Sequence, residues 1–296
     1  MSTSFLATVL VDGALTGTLY ALVALSFVVV YRSSRMVNFA LGDWTMLAAG
    51  LVSASVHALG LSLPAALVAG CMGMIALGLG FNRVVLRPLL GRQVIALIMV
   101  TLGLGALARG AAAVTLRGVT RRIELPIPAD PIEFLGVLVS PDKLVAAAVA
   151  ALAVGLAAGF FRWSRIGVAL RAIADDQQVA MAMGIDVQRH FAITWGLVGV
   201  LSVIAGTLWT FVAGSGFGVA LLGFNVFPIV ILGGLDSIVG TIVAAVLIGV
   251  LEALAASYLD THLGGGFSHV ASYLVLLAML FARPHGLFGR PDAVRV

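Results

Sequence analysis

The sequence predicts an all-α polytopic membrane protein with about eight transmembrane helices, a short re-entrant half-helix and a cytoplasmic helix between two spans. Hydrophobic residues make up 61% of the chain and charged residues only 10%, and the mean hydropathy is +1.14. A soluble domain is about half apolar and about a quarter charged. In addition, the arginines cluster at the ends of long apolar runs, as in multi-span proteins.

The chain length fits one bundle. At 296 residues there is room for about eight spans of roughly 20 residues and for no separate soluble domain. We therefore expect a single transmembrane domain over residues 1–296. The predicted spans lie near residues 13–31, 38–56, 64–81, 94–116, 143–161, 190–212, 238–258 and 268–282.

The basic residues predict the orientation, because cytoplasmic loops are enriched in Lys and Arg. The set assigned to the cytoplasm is Arg32, Arg35, Arg83, Arg87, Arg92, Arg162, Arg165, Arg171, Arg189, Arg283, Arg290 and Arg295. The opposite side has Arg117, Arg121, Arg122 and Lys143. The N-terminus is then outside and the C-terminus inside, provided that residues 222–235 only dip into the membrane. The first apolar run resembles a retained span rather than a cleaved signal peptide.

Two loops stand out between the spans. The extracytoplasmic loop, residues 117–142, contains four prolines and several charges, which indicates an ordered excursion. It serves either as a docking site for a delivery protein or as a solvated connector. The cytoplasmic loop, residues 162–189, is the longest polar stretch on the other side.

The cytoplasmic loop has the pattern of a short capped helix. Arg171 and Asp175 are spaced for an ion pair along a helix, Gly184 is a predicted stop, and Asp186 a predicted N-cap for the next helix. Apolar residues recur at helical spacing: Ile166, Ala169, Leu170, Ile173, Ala180 and Met181.

Four stretches resemble one family. R-A-I-A-D-D-x-x-x-A-x-x-x-G-I from Arg171, N-F-A-L-G-D from Asn38, the glycine-rich run from Gly233 to Glu252 and F-A-R-P-H-G-L-F-G from Phe281 are similar to motifs of LivH-type permease subunits of branched-chain amino acid ABC importers. The motifs occur in the same order and extend nearly end to end. The sequence departs from the family pattern at Leu41, Asp236 and Ala244.

The resemblance implies a permease subunit of an ATP-driven importer in a bacterial-type inner membrane. Its solute would be a branched-chain or other hydrophobic amino acid, or a related small amide or urea. The implied partners are two ATPase subunits that hold ATP and Mg, a second related permease chain and an extracytoplasmic solute-binding protein. The cytoplasmic helix would be the coupling helix, with the ATPase-coupling residues Arg171, Ala172, Asp175, Asp176, Ala180 and Gly184.

Polar residues inside apolar spans require a reason, since a mid-helix charge costs on the order of 3 kcal/mol. Asn38 and Asp43 either face a water-filled path or pin the start of the second helix. Glu252 either bonds a neighbouring helix or touches solute. For Arg109 we expect a side chain that extends to the outer interface.

The segment from Gly223 to Ser237 is predicted to be a broken, re-entrant gate. It is too short to span, Pro228 removes a backbone donor, and Gly233 and Gly234 interrupt it. Such interrupted helices line transporter paths. Asn225 occurs in the pattern N-x-F, which is similar to N-F at Asn38. For this reason Asn225 is also a candidate residue of the translocation path. Asp236 is predicted to cap the following helix.

Enzymatic signatures are absent from the sequence. No G-x-x-x-x-G-K-[ST] occurs, and the single lysine is Lys143, so we expect no ATPase site in this chain. The five histidines lack metal-ligand spacing, and Cys71 has no partner for a disulfide. The alternative class is a self-contained secondary transporter or channel, whose coupling would depend on Asp43 or Glu252; an intramembrane enzyme is disfavoured.

Overall fold

The computed structural model describes residues 3–89, 94–116, 122–123, 130–134, 136–214, 218–283 and 285–289. This part of the chain is almost entirely helical. The elements in order are α1 (Thr3–Ser34), α2 (Leu41–His57), α3 (Leu63–Phe81), a π-helical turn (Asn82–Leu86), α4 (Arg87–Leu89), α5 (Val94–Thr115), β1 (Ile132–Phe134), β2 (Val137–Val139), α6 (Pro141–Trp163), α7 (Arg165–Asp175), α8 (Gln177–Ala182), α9 (Val187–Ala213), α10 (Gly218–Gly233), α11 (Ile238–Tyr258), α12 (Asp260–Leu263) and α13 (Phe267–Ala282).

The predicted all-α membrane class is confirmed. Within the described residues, six helical stretches are long and apolar enough to cross a membrane, and α10 and α13 are shorter apolar helices. The count of eight full-length spans is not reproduced. At 17 residues, α2 is about 25 Å long, less than the roughly 30 Å of a bilayer core.

The chain divides into two compact units. The first contains residues 1–28, 125–151 and 224–296, and the second contains residues 29–124 and 152–223. Whether the whole chain acts as one domain stays a prediction. Each unit is described by itself.

The second unit is built around α2, which packs against α3, α5 and α9. Its side chains are buried along most of its length. Trp44 of α2 contacts Phe81 and Trp195, with ring centroids 6.1 and 5.8 Å away. Close backbone approach is possible because Gly206 of α9 faces Thr45 of α2 with no side chain between them.

The first unit joins α11 to α13 and to the beginning of α1. Gly249 of α11 faces Gly13 and Gly17 of α1, the small-residue packing that lets membrane helices approach closely. The antiparallel hairpin of β1 and β2 lies within the predicted extracytoplasmic loop, and the backbone N–H of Leu138 donates to the hydroxyl of Thr8. Residues 117–121, 124–129 and 135 of that loop lie outside the described part of the chain.

The orientation is testable with single cysteines in a Cys71→Ser background. Gln178 in α8 and Leu138 in the hairpin are both exposed and are predicted to lie on opposite sides of the membrane. Cysteines at these positions should react with an impermeant thiol reagent from opposite sides of sealed vesicles. Labelling of both from the same side would contradict the orientation.

Gly249→Ala should destabilise the protein by about 1–3 kcal/mol, because the added methyl group overfills a closely packed contact. A Cβ there would lie 2.6 Å from the Cα of Gly17. Gly155→Ala in α6 is the matched control, since no other group lies within 4 Å of its Cβ position. Thermal unfolding in detergent measures both; equal midpoints for the two variants would contradict this packing.

Candidate functional site

The connection between α1 and α2 places a buried amide side chain before the start of α2. The side-chain oxygen of Asn38 accepts a hydrogen bond from the backbone N–H of Ala40, 3.0 Å away. The next residue, Phe39, donates from its backbone N–H to the hydroxyl of Thr101, 3.3 Å away in α5. Asn38 therefore pins the helix start, one of its two predicted roles. Its Nδ2 is buried without a hydrogen-bond partner.

Asp43 and Arg109 form a charge pair between α2 and α5. The Nε of Arg109 lies 3.3 Å from Oδ1 of Asp43. The Asp43 side chain is 8% exposed and that of Arg109 46%, and Gly105 leaves room for the carboxylate. This contact was not predicted: the guanidinium balances a buried carboxylate whose isolation would be costly. The prediction that Arg109 extends to the outer interface stays a prediction.

Glu252 is the centre of a buried polar network in the first unit. Its two carboxylate oxygens accept hydrogen bonds from the hydroxyls of Tyr20 and Ser272, both at 2.8 Å. The Asn225 side chain hydrogen-bonds to the Tyr20 hydroxyl, and Nδ1 of His269 lies 3.8 Å from the carboxylate. Of the two predicted roles, the structure shows the bond to neighbouring helices: α1, α10, α11 and α13 meet here.

The predicted gate segment forms most of α10, but with different limits. The helix begins at Gly218 rather than Gly223 and continues through Pro228. Pro228 cannot donate to the carbonyl of Phe224, four residues earlier. The hydroxyl of Tyr273 in α13 donates to that carbonyl, 2.9 Å away. A side chain thus supplies the hydrogen bond that the proline removes.

The helix ends at the predicted glycines, but they are closely packed rather than free to move. Gly234 has φ +99°, and a Cβ there would lie 2.6 Å from the backbone of Gly289. The C-terminal F-G motif binds the helix end, since the N–H of Leu287 donates to the carbonyl of Leu232 at 2.7 Å. Substitution of Gly234 would therefore disturb folding whether or not this segment gates a path.

The next helix is capped by a different residue from the one predicted. Ser237, not Asp236, accepts from the N–H of Gly240 at 3.0 Å and caps α11. Asp and Ser are both favoured N-cap residues. Because Asp236 and Ser237 are adjacent, the sequence alone does not show which of them is the cap.

The cytoplasmic loop contains two short helices instead of one. Asp176 ends α7 and caps α8, because its side chain accepts from the N–H groups of Gln178 and Val179, both at 2.9 Å. Ser164 caps the start of α7. Among the predicted coupling residues, Ala172 accepts the backbone N–H of Asp176, whereas the Asp175 side chain is exposed.

Arg171 does not pair with Asp175, contrary to the prediction. Its guanidinium donates instead to the carbonyl of Phe161 and, at 3.4 Å, to that of Arg162. These carbonyls lie in the last turn of α6, where helical acceptors lack backbone donors. A cation there is also favoured by the helix dipole.

The predicted stop and the next cap are confirmed. Gly184 has φ +82°, and the N–H of Ile185 donates to the carbonyl of Ala180 at 3.0 Å, the pattern of a glycine-terminated helix. Asp186 accepts from the N–H of Arg189 at 3.0 Å. Side chains thus cap the starts of α7, α8 and α9, and Gly184 ends α8.

Sequence reasoning missed the exposed apolar side chains of this segment. They do not share the buried face formed by Leu170, Ile173 and Ala180. Met181 was expected on the apolar face, yet it is exposed. The exposed set, termed here the apolar rim, is Val168, Val179, Met181 and Met183.

These features define a class of protein. Interrupted helices, charges buried between spans and a rigid polar segment joining two spans are the features of a transporter subunit. The chain belongs to the family described as branched-chain amino acid transport system / permease component, whose model matches residues 9–283.

Named relatives agree with the family. The chain is 29% identical to the high-affinity branched-chain amino acid transport system permease protein LivH of Salmonella typhimurium, over 96% of each chain. It is 28% identical to the corresponding permease protein BraD of Pseudomonas aeruginosa, over 97% of each chain. The solved structure of PsaBC from Streptococcus pneumoniae in complex with Fab is 16% identical, with a TM-score of 0.49 over 94% of this chain and 92% of that chain. That likeness is too remote to carry an argument.

Tyr273→Phe should lower the free energy of unfolding by about 1–3 kcal/mol, because the Phe224 carbonyl loses its donor. Pro228→Ala restores a backbone N–H, so the double variant should recover most of this loss. Thermal unfolding in detergent measures the cycle.

Tyr258→Phe is the matched control, since the Tyr258 ring packs on Phe5 and its hydroxyl is not used in α10. Strictly additive effects of Tyr273→Phe and Pro228→Ala would show that the two groups do not share one carbonyl.

Proposed function

We propose that this chain is the membrane-spanning permease subunit of an ATP-driven importer of branched-chain or other hydrophobic amino acids. Family membership and the full-length similarity to LivH and BraD support this proposal. The proposal also includes related small amides or urea as solutes. The proposed cell membrane is a bacterial inner membrane, with the N-terminus outside and the C-terminus in the cytoplasm.

The proposed complex supplies what this chain lacks. The sequence has no phosphate-binding G-x-x-x-x-G-K-[ST] loop. In the proposed complex, ATP and Mg are therefore bound by two separate ATPase subunits. A second related permease chain completes the path, and an external binding protein delivers the solute. This chain then has no enzymatic activity of its own.

The observation that carries the proposal is the capped segment of α7 and α8. Ser164, Asp176 and Asp186 cap its helices, while Arg171 fixes α7 to the end of α6. On the side of α1, the Nε of Arg35 donates to the carbonyl of Ala174 at 3.2 Å. A force applied to this segment therefore reaches α6 and α9 without being absorbed by a flexible loop.

The apolar rim is the proposed contact with an ATPase subunit. Met183 is 78% exposed and Val179 57%, although the loop is otherwise polar. Exposed apolar groups beside a polar surface are typical of protein interfaces, and methionine adapts well to a partner cleft. Arg171, Ala172, Asp176, Ala180 and Gly184 would hold the shape of this surface, and Asp175 would lie on its exposed side.

The test is a Met181→Glu/Met183→Glu variant in the complete complex. Two buried carboxylates at the interface should reduce solute-stimulated ATP hydrolysis at least about 10-fold, since each uncompensated charge costs several kcal/mol. Gln178→Glu, exposed on the same short helix, is the control and should retain activity.

Two results would count against the proposal. Normal ATPase stimulation in the double glutamate variant would show that the apolar rim is not the contact. Uptake by this chain alone, driven by an ion gradient and without ATPase subunits, would replace the importer by a self-contained transporter.

A further inference from the structure

The N-terminus of α2 lies inside the bundle rather than at its end. Phe39 bonds to Thr101 and Asp43 lies against Gly105, and these α5 residues are about 10 and 16 Å along a helix roughly 33 Å long. Trp195, which contacts Trp44, is likewise about 12 Å from the start of α9.

The chain reaches this depth through an extended connection. Arg35, in contact with the carbonyl of Ala174 in α7, has φ +54°, a conformation unusual for a residue other than glycine. The five residues that follow can rise by up to about 17 Å. Of these, Met36, Asn38 and Ala40 are buried. In place of the predicted span at 38–56 there is a helix over Leu41–His57 preceded by non-helical backbone.

The start of α2 has more N–H donors than side-chain acceptors. No side chain caps α2, although the first N–H groups of a helix need acceptors. Asn38, 1% exposed, is held at the helix start by its Oδ1, which leaves its Nδ2 beside the same turn with no partner.

The carboxylate of Asp43 does not fill this position, because it is directed to α5, against Gly105 and Arg109. N–H groups at a helix N-terminus that no side chain caps, together with the helix dipole, favour an anion with acceptor oxygens. In a transporter, irregular backbone at membrane depth is expected to line the solute path.

We propose that the start of α2 binds the α-carboxylate of the amino acid during translocation, with Asn38 Nδ2 and the first N–H groups of α2 as donors. This inference rests on the proposed function and names the end of the solute that the path recognises.

The test is Asn38→Asp in the complete complex reconstituted in vesicles. Aspartate keeps the oxygen that accepts from Ala40, but it replaces the Nδ2 donor with a repelling oxygen. ATP-dependent leucine uptake should fall about 10- to 100-fold, whereas stimulation of ATP hydrolysis by the loaded binding protein should persist. Asn82→Asp, at the end of α3 and outside this site, is the control and should transport normally.

A binding measurement separates a ligand contact from a structural effect. Wild-type complex without binding protein should bind radiolabelled leucine, and unlabelled leucine should compete at least about 10 times better than leucinamide, which lacks the carboxylate. Equal competition by leucinamide, or normal uptake in a folded Asn38→Asp variant, would overturn the carboxylate site while leaving the importer function in place. Loss of ATP dependence in the wild type would instead overturn the proposed function.

Discussion

The structure depends on the requirement that main-chain polar groups be satisfied where water is absent. An uninterrupted helix meets this requirement by itself, but a helix that begins, ends or contains proline inside the membrane does not. Among the described residues, α2 begins at a buried turn that no side chain caps, and α10 contains Pro228. Each needs donors or acceptors from elsewhere, and their positions determine where polar side chains occur.

The two helices meet the requirement in different ways. In α10 the free carbonyl before Pro228 receives the Tyr273 hydroxyl, and the last carbonyls receive N–H groups from Leu287 and Phe288. In α2 the problem concerns donors: Asn38 satisfies one N–H, but no side chain caps the first turn. The groups of α10 are satisfied within the chain, whereas the start of α2 is the proposed site for the solute carboxylate.

The sequence was sufficient for features that depend on local chemistry. Hydropathy predicted the membrane class, and Gly184 and Asp186 were identified correctly because a left-handed stop and an N-cap depend on neighbouring residues. Partners distant in sequence were not predictable: Arg109 with Asp43, Arg171 with the end of α6, and Tyr273 with Phe224. Nor does an apolar run show where its helix begins, so the predicted span at 38–56 included three residues that precede Leu41. The assignments of path and coupling residues stay predictions.

The central claim is that α2 begins beside a point about a third of the way along α5. The most direct test compares two cysteine pairs in a Cys71→Ser background: Phe39→Cys with Thr101→Cys, and Phe39→Cys with Leu97→Cys, about 6 Å nearer the start of α5. A disulfide requires Cα atoms within about 7 Å, and the N–H of Phe39 is 3.3 Å from the hydroxyl of Thr101. The account predicts rapid oxidation of the 39–101 pair. Preferential oxidation of the 39–97 pair would place α2 at the membrane surface and contradict it.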